Sequence, residues 1–165
     1  MTPLVWGEGM TTPAKAVEAA AAGRLAWIDG GRRVIDLVHV GNLVKAVVAG
    51  LSHGRDRGVY YVTDGSPLPI REFFTPVLEI AGADVSGARS VPGGVATVMA
   101  GVLEGMWRLL RRPTAPPLDL WLVAFLGRDR SYDIGRARAE LGYRPRVTVA
   151  EGLAEMRDQP PVVSP

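Results

Sequence analysis

Between residues 34 and 82, β-type runs alternate with helical repeats, and this alternation restricts the fold more than any other feature of the chain. Val40, Leu43, Val44, Val47, Val48 and Leu51 recur at i, i+3, i+4, i+7, i+8 and i+11, the spacing of one apolar helix face. We expect that face to be buried. Ile70, Phe73, Phe74, Val77, Leu78 and Ala81 repeat the spacing up to Gly82. Ahead of each repeat stands a run rich in β-branched or aromatic residues, 34–38 and 59–63, the second stopped by Asp64-Gly65. An α/β chain is expected, with short strands and several helices.

The flanks extend this order. An apolar run at 2–6 leads into the loop Gly7-Glu8-Gly9-Met10-Thr11. Thr12 offers an N-cap and Pro13 suits a first helical position, predicting a helix over 14–22 that stops at Gly23. A β run at 25–28 joins 34–38 through Asp29-Gly30-Gly31, as a hairpin or as strand–turn–strand. From 91 to 110 the chain is apolar and Gly-rich, interrupted by Glu104, and ends in Trp107-Arg108-Leu109-Leu110-Arg111-Arg112. A helix is expected there from about residue 95, with apolar residues all round it, as in a buried element or a subunit contact. Pro113, Pro116 and Pro117 break it, and 118–126 reads as a second short helix. A helix over 134–141 stops at Gly142, Thr148-x-x-Glu151 forms a capping box for 149–156, and 159–165 is a Pro-rich frayed end.

Composition removes several chemistries. Without cysteine there is no disulfide scaffold, Cys-ligated zinc, iron–sulfur cluster or thiol nucleophile. Net charge is only +2, and basic and acidic residues alternate, as in Arg55-Asp56-Arg57, which argues against a nucleic-acid partner. No stretch reaches the roughly 18 apolar residues of a spanning helix, and 1–20 has no basic start followed by an apolar core. A cytoplasmic chain is the expectation.

Few motifs carry chemistry. Gly7-x-Gly9-x-x-Thr12 with Asp29 beyond it has the outline of a dinucleotide turn, but Thr12, Pro13 and the short strand before them favour an ordinary loop. His39 and His53 stand outside any metal spacing, and His39 after an apolar strand reads as a hydrogen-bonded structural residue. There is no G-x-S-x-G elbow, and Ser66 falls in a turn. Trp107 with Arg108, Arg111 and Arg112 has the composition of an interfacial membrane anchor; a buried helix with its basic end in solvent is the favoured reading. No residue is singled out as catalytic or metal-binding.

Four strings in order resemble the C-terminal half of the extended short-chain dehydrogenase/reductase family, in its epimerase/dehydratase and 3β-hydroxysteroid dehydrogenase-like branches. They are Pro3-Leu4-Val5-Trp6-Gly7-Glu8-Gly9, Asp36-Leu37-Val38-His39-Val40-Gly41-Asn42-Leu43, Val59-Tyr60-Tyr61-Val62-Thr63-Asp64-Gly65, and Ala137-Arg138-Ala139-Glu140-Leu141-Gly142-Tyr143-Arg144-Pro145 with Glu151-Gly152-Leu153. The resemblance implies the substrate-binding part of an extended Rossmann-type enzyme over 1–158, without the dinucleotide-binding half. It places Pro3, Leu4 and Val5 by a nicotinamide. Trp6, Gly7, Glu8 and Met10 would shape a substrate loop, and Trp27, Arg33, His39 and Asn42 would wall the pocket.

The departures qualify that implication. The family's Tyr-x-x-x-Lys pair is absent, since no Tyr lies four positions ahead of Lys15 or Lys45. Ile35 stands where nucleotide-sugar members resemble one another in an Arg, so an apolar, steroid- or flavonol-like alcohol or ketone is expected over a diphosphate sugar. Gly41 replaces the family Asp. The resemblance thus implies NAD or NADP in a complete enzyme, a small-molecule substrate, and for this chain alone no catalysis and no bound cofactor. A missing half, or self-association through bare strand edges, would cover it. A non-catalytic remnant or a peripheral membrane protein are the alternatives.

Overall fold

The computed structural model describes residues 3–10, 12–111, 120–158 and 163–164. In chain order these form β1 (Leu4–Trp6), β2 (Thr12–Pro13), α1 (Ala14–Ala21), β3 (Ala26–Ile28), a 3-10 turn (Asp29–Gly31), β4 (Val34–Ile35), β5 (Leu37–His39), α2 (Val40–His53), β6 (Leu68–Pro69), α3 (Ile70–Ile80), β7 (Arg89–Val91), α4 (Gly93–Leu109), α5 (Leu120–Leu126), α6 (Gly135–Leu141), α7 (Val149–Asp158) and β8 (Val163–Ser164). The expected α/β character, with short strands and several helices, is what is found. Pro13 precedes α1 instead of opening it. Arg112, Pro113, Pro116, Pro117, Leu118 and most of the tail 159–165 lie outside the described residues. The chain divides into two compact units: Met1–Thr12, Val34–Leu68 and Arg130–Pro165 make the first, and Pro13–Arg33 with Pro69–Asp129 the second.

In the first unit β1 and β5 pair in parallel, Leu4 opposite Leu37 and Trp6 opposite His39. All three β5 residues are buried, which suits a run without polar alternation. Arg130 extends this region by exchanging backbone bonds, Asp36 N–H to Arg130 O at 2.9 Å and Arg130 N–H to Val34 O at 2.8 Å. The α2 helix buries Ala46 against Ile134, Ala137, Leu141 and Tyr143. The α7 capping box forms as expected, with Thr148 N–H on Glu151 Oε2 at 2.8 Å and Glu151 N–H on Thr148 Oγ1 at 3.3 Å.

Two expectations for this unit are overturned. The apolar stripe of α2 points outward: Val44, Val47 and Val48 are exposed, Leu51 is 85% exposed, and the helix buries Asn42 and Ala46 instead. The 3.6-residue period locates an apolar face, but only a packing partner decides whether that face is covered. Residues 59–63 form no strand. Side chains hold them instead: Tyr143 donates its hydroxyl to Thr63 O at 2.9 Å, and Tyr60 donates to Glu140 at 2.7 Å. Side-chain anchoring here outweighs strand propensity, which is realised only beside a pairing edge.

In the second unit β3 pairs in parallel with β7, Ala26 opposite Arg89 and Ile28 opposite Val91. Of the two sequence readings for 25–38, strand–turn–strand is therefore correct and the hairpin is not. Gly31, at φ +67°, has no room for a side chain, because a Cβ there would stand 2.7 Å from Arg71 Cβ. The α3 helix buries Ile70, Phe73, Val77 and Leu78, as its spacing predicts. The α4 helix starts at Gly93, two residues early, because Asp29 Oδ1 accepts the Gly93 N–H at 2.8 Å.

Of the two readings for α4, burial within the chain is corrected, while a subunit contact is left open. Its small residues Ala96 and Ala100 pack against Ile28 and Val123. Val95, Val98, Met99, Val102, Met106 and Leu109 are exposed.

Candidate functional site

The end of β1, the end of β5, the first turn of α2 and the turn after residue 63 converge in the first unit on one carboxylate. Asp64 Oδ2 accepts the Trp6 indole N–H at 2.8 Å, the His39 backbone N–H reaches both carboxylate oxygens at 2.9 and 3.1 Å, and Oδ1 accepts the Asn42 side-chain amide at 2.8 Å. Three N–H donors hold the charge without a cation contacting it in these bonds.

Asn42 is fully buried and saturated. Its amide also donates to Val147 O at 2.9 Å, and its Oδ1 accepts from Arg146 N–H at 2.9 Å and Val147 N–H at 3.0 Å. One side chain thus fastens the start of α2 to the segment before α7.

His39 caps α2, with Nδ1 accepting the Gly41 N–H at 3.2 Å. The neutral ring therefore carries its proton on Nε2, which makes no hydrogen bond among the described residues and stands 3.6 Å from Glu155 Oε2. The ring meets Trp6 edge to face at 4.8 Å between centroids. Gly7, at φ +121°, lies against this pair, and a Cβ there would fall 2.6 Å from His39 Nε2. On the other side a Cβ on Gly152 would fall 2.5 Å from the Trp6 ring. Only glycine fits either place.

This packing sets the loop that leaves β1. Met10 N–H closes it onto Gly7 O at 3.0 Å, Glu8 and Gly9 are exposed, and Met10 is half-buried. What the arrangement can offer a ligand is a turn with an exposed Glu8 carboxylate and the Met10 thioether, set by a partly buried polar network beneath it.

The residues expected at the site therefore divide. Pro3, Leu4, Val5, Trp6, Gly7, Glu8, Met10, His39 and Asn42 lie in the first unit, where Trp6, Gly7, His39 and Asn42 come together. Trp27 and Arg33 lie in the second unit. Trp27 is buried with its ring beside Gly31, and Arg33 faces Asp29 at 3.5 Å and Asp129 at 3.6 Å. An open cavity of about 650 Å³ in that unit, lined in part by Gly30, Arg32, Arg71, Thr75 and Ser90, holds none of the expected residues. Sequence reasoning missed Asp64, which it read as a strand stop. It also missed the role of Gly152, which stands in the string Glu151-Gly152-Leu153 but whose close approach to Trp6 shows only in the fold.

Asp29, the acid that a dinucleotide turn would need, is already engaged. The Gly93 backbone N–H, with Arg33 behind it, holds its carboxyl below the usual carboxylate range. An exposed Val5 on β1 can lie against a flat ring, but the acid is taken and no pair of glycines opens a helix beside β1. The described residues thus supply at most a contact for a nicotinamide cofactor and do not compose its binding site. No group of three His, Asp or Glu among the described residues could hold a metal ion.

No protein-family model matches the chain. It is 34% identical over 159 residues to the 4-hydroxy-2-methyl-3-oxo-4-farnesyl-3,4-dihydroquinoline-1-oxide ketoreductase of Stigmatella aurantiaca, covering 95% of this chain and 47% of that protein. It is 29% identical to the 2-alkyl-3-oxoalkanoate reductase of Stenotrophomonas maltophilia, covering 93% and 48%. Among solved structures, a dTDP-glucose 4,6-dehydratase of Streptomyces venezuelae with NAD bound matches with a TM-score of 0.58 at 25% identity, over 95% of this chain and 41% of that one. The chain is homologous to the extended short-chain dehydrogenase/reductases. It spans about half the length of the relatives it matches. Within that family its relatives are 3β-hydroxysteroid dehydrogenases and ketoreductases, and the fold is part of the Rossmann-type architecture of the extended enzymes.

Proposed function

We propose that the chain is the substrate-side part of an NAD(P)-dependent oxidoreductase that acts on a secondary alcohol or ketone of a largely apolar molecule. The observation that carries this reading is the 34% identity, over nearly the whole chain, to a ketoreductase named for a farnesylated quinoline. The buried Ile35 supports it, since no guanidinium stands at that position to hold a diphosphate. The loop Gly7–Met10 is the substrate contact, with Glu8 and Met10 outermost. Trp6, His39, Asn42 and Asp64 form the base that holds it, and Pro3, Leu4 and Val5 lie toward the cofactor. In such an enzyme the cofactor carries the hydride, while this chain's part is to bind and orient the substrate.

A second half completes the fold, and the outward stripe of α2, Val44, Val47, Val48 and Leu51, is the apolar surface it would bury. The test is turnover by the protein isolated from its own cell, with its intact mass measured. Oxidation of NADH or NADPH with a 3-oxosteroid or a long-chain 3-oxo ester, and none with a nucleotide-diphosphate sugar, is expected from a species near twice 17.6 kDa. The 17.6 kDa chain alone should be inactive, since it has no Tyr-x-x-x-Lys pair. Turnover of the nucleotide sugar alone would overturn the substrate reading, and a native 17.6 kDa species without activity would favour the non-catalytic remnant.

A further inference from the structure

The open cavity of the second unit, about 650 Å³, is lined by the Asp29–Gly31 turn, the first turns of α3 and the middle of β7. Its size is that of a small-molecule site. A side chain at Gly30, which sits at φ +72°, would meet Ser90 Oγ at 3.7 Å and Arg32 Nε at 3.9 Å, so the bare glycine keeps the space between those two groups open. At Gly31 the same lack of a side chain lets the stem of Arg71 lie directly on the turn. Two guanidinium side chains thus reach one cavity, together with the hydroxyls of Ser90 and Thr75.

Neither guanidinium is answered by the chain. Arg33, next to Arg32 in sequence, has Asp29 at 3.5 Å and Asp129 at 3.6 Å. Arg32 and Arg71 are exposed and form no ion pair among the described residues. Asp29, the carboxylate beside Arg32, is occupied by the Gly93 N–H at 2.8 Å and by Arg33. Glu72, the carboxylate among the lining residues, pairs with neither arginine. Arg71 is also the second residue of α3, at the positive end of the helix, and Pro69 ahead of it provides no side-chain cap. A cation at that place is opposed by the helix dipole, whereas an anion is drawn by the dipole and by both arginines.

We propose that this cavity binds a phosphorylated small molecule, its phosphoryl group held by Arg32 and Arg71 with help from the Ser90 and Thr75 hydroxyls. A phosphoryl group brings three acceptor oxygens and up to two charges, enough to engage both guanidiniums, whereas one bidentate arginine already fills a carboxylate. The site lies wholly within the second unit and does not depend on the enzymatic reading, and its test reads no activity. Calorimetric titration of the full chain with inorganic pyrophosphate is made in about 0.15 M salt, where diffuse charge is screened. Saturable one-to-one binding is expected. Arg32→Gln and Arg71→Gln should each weaken it about tenfold, through loss of a charge-assisted hydrogen bond. Both side chains are exposed, so each variant should keep the wild-type circular dichroism. Glu72→Gln, which removes the repelling carboxylate, should tighten binding severalfold. Arg24→Gln removes the same charge from an exposed position outside the cavity and should leave the affinity unchanged. No saturable binding by the folded wild-type chain would overturn the proposal, as would binding that Arg24→Gln weakens as much as the two cavity variants do.

Discussion

The buried base beneath the Gly7 loop and the buried side of α4 close their surroundings with opposite chemistry. In the first unit the buried Asn42 and the half-buried Asp64 are polar groups whose partners come from residues as far apart as Trp6 and Val147. In the second, α4 meets its neighbours through alanines and leaves its bulky residues outside. A polar network is directional and tolerates one arrangement. A small-residue contact tolerates one distance and is indifferent to what lies beyond it.

Substitutions can break this contrast. The largest effect is expected from Asn42→Leu, which removes a buried amide and leaves Val147 O and the N–H groups of Arg146 and Val147 unpaired. At about 1–3 kcal/mol for each orphaned group, a loss of roughly 3 kcal/mol or more is expected in urea unfolding. A change under 1 kcal/mol would show that the network does not fasten the unit.

Alkali should act nearly as strongly. Burial, helped by the charge on Asp64, pushes the Tyr143 hydroxyl up to about 12. The folded value lies above the ordinary one near 10, so the folded state keeps a proton that the unfolded chain releases. Stability is therefore unaffected by this group below pH 10 and falls between pH 10 and 12, by about 1.4 kcal/mol per pH unit. Thermal melts of Tyr143→Phe should be flatter over that window.

On the other side of the contrast, Ala100→Leu is expected to cost about 1–3 kcal/mol, because the alanine is fully buried against Ile28 and Val123. Thr148→Ala should cost about 1 kcal/mol through the lost capping box. The smallest effect is expected on the outer face of α4: Val98→Ser should change chain stability by less than about 0.5 kcal/mol. Equal costs for Ala100→Leu and Val98→Ser would mean that the two faces of α4 are not distinct.

Much of the element order was legible from period and punctuation. The α3 spacing, the Gly23 and Gly142 stops and the Thr148 box are local, and each stands where it was expected. The errors share one cause. Val59–Thr63 has strand-forming residues but no strand, and the stripes of α2 and α4 have helical spacing but no cover. In each case the missing information was a partner remote in sequence. The site shows the same division: Gly7, His39 and Asn42 were found through the strings that carry the family resemblance. Asp64, which joins three N–H groups from β1, β5 and α2, was not.

The sequence by itself determined where helices begin and end and which chemistries are excluded, because propensity, caps and composition act over a few residues. Tertiary structure alone decided which apolar faces lie bare, that Asp29 serves the start of α4, and that one carboxylate gathers Trp6, His39 and Asn42. Burial and hydrogen bonding depend on what arrives from elsewhere in the chain, and no local pattern encodes that arrival.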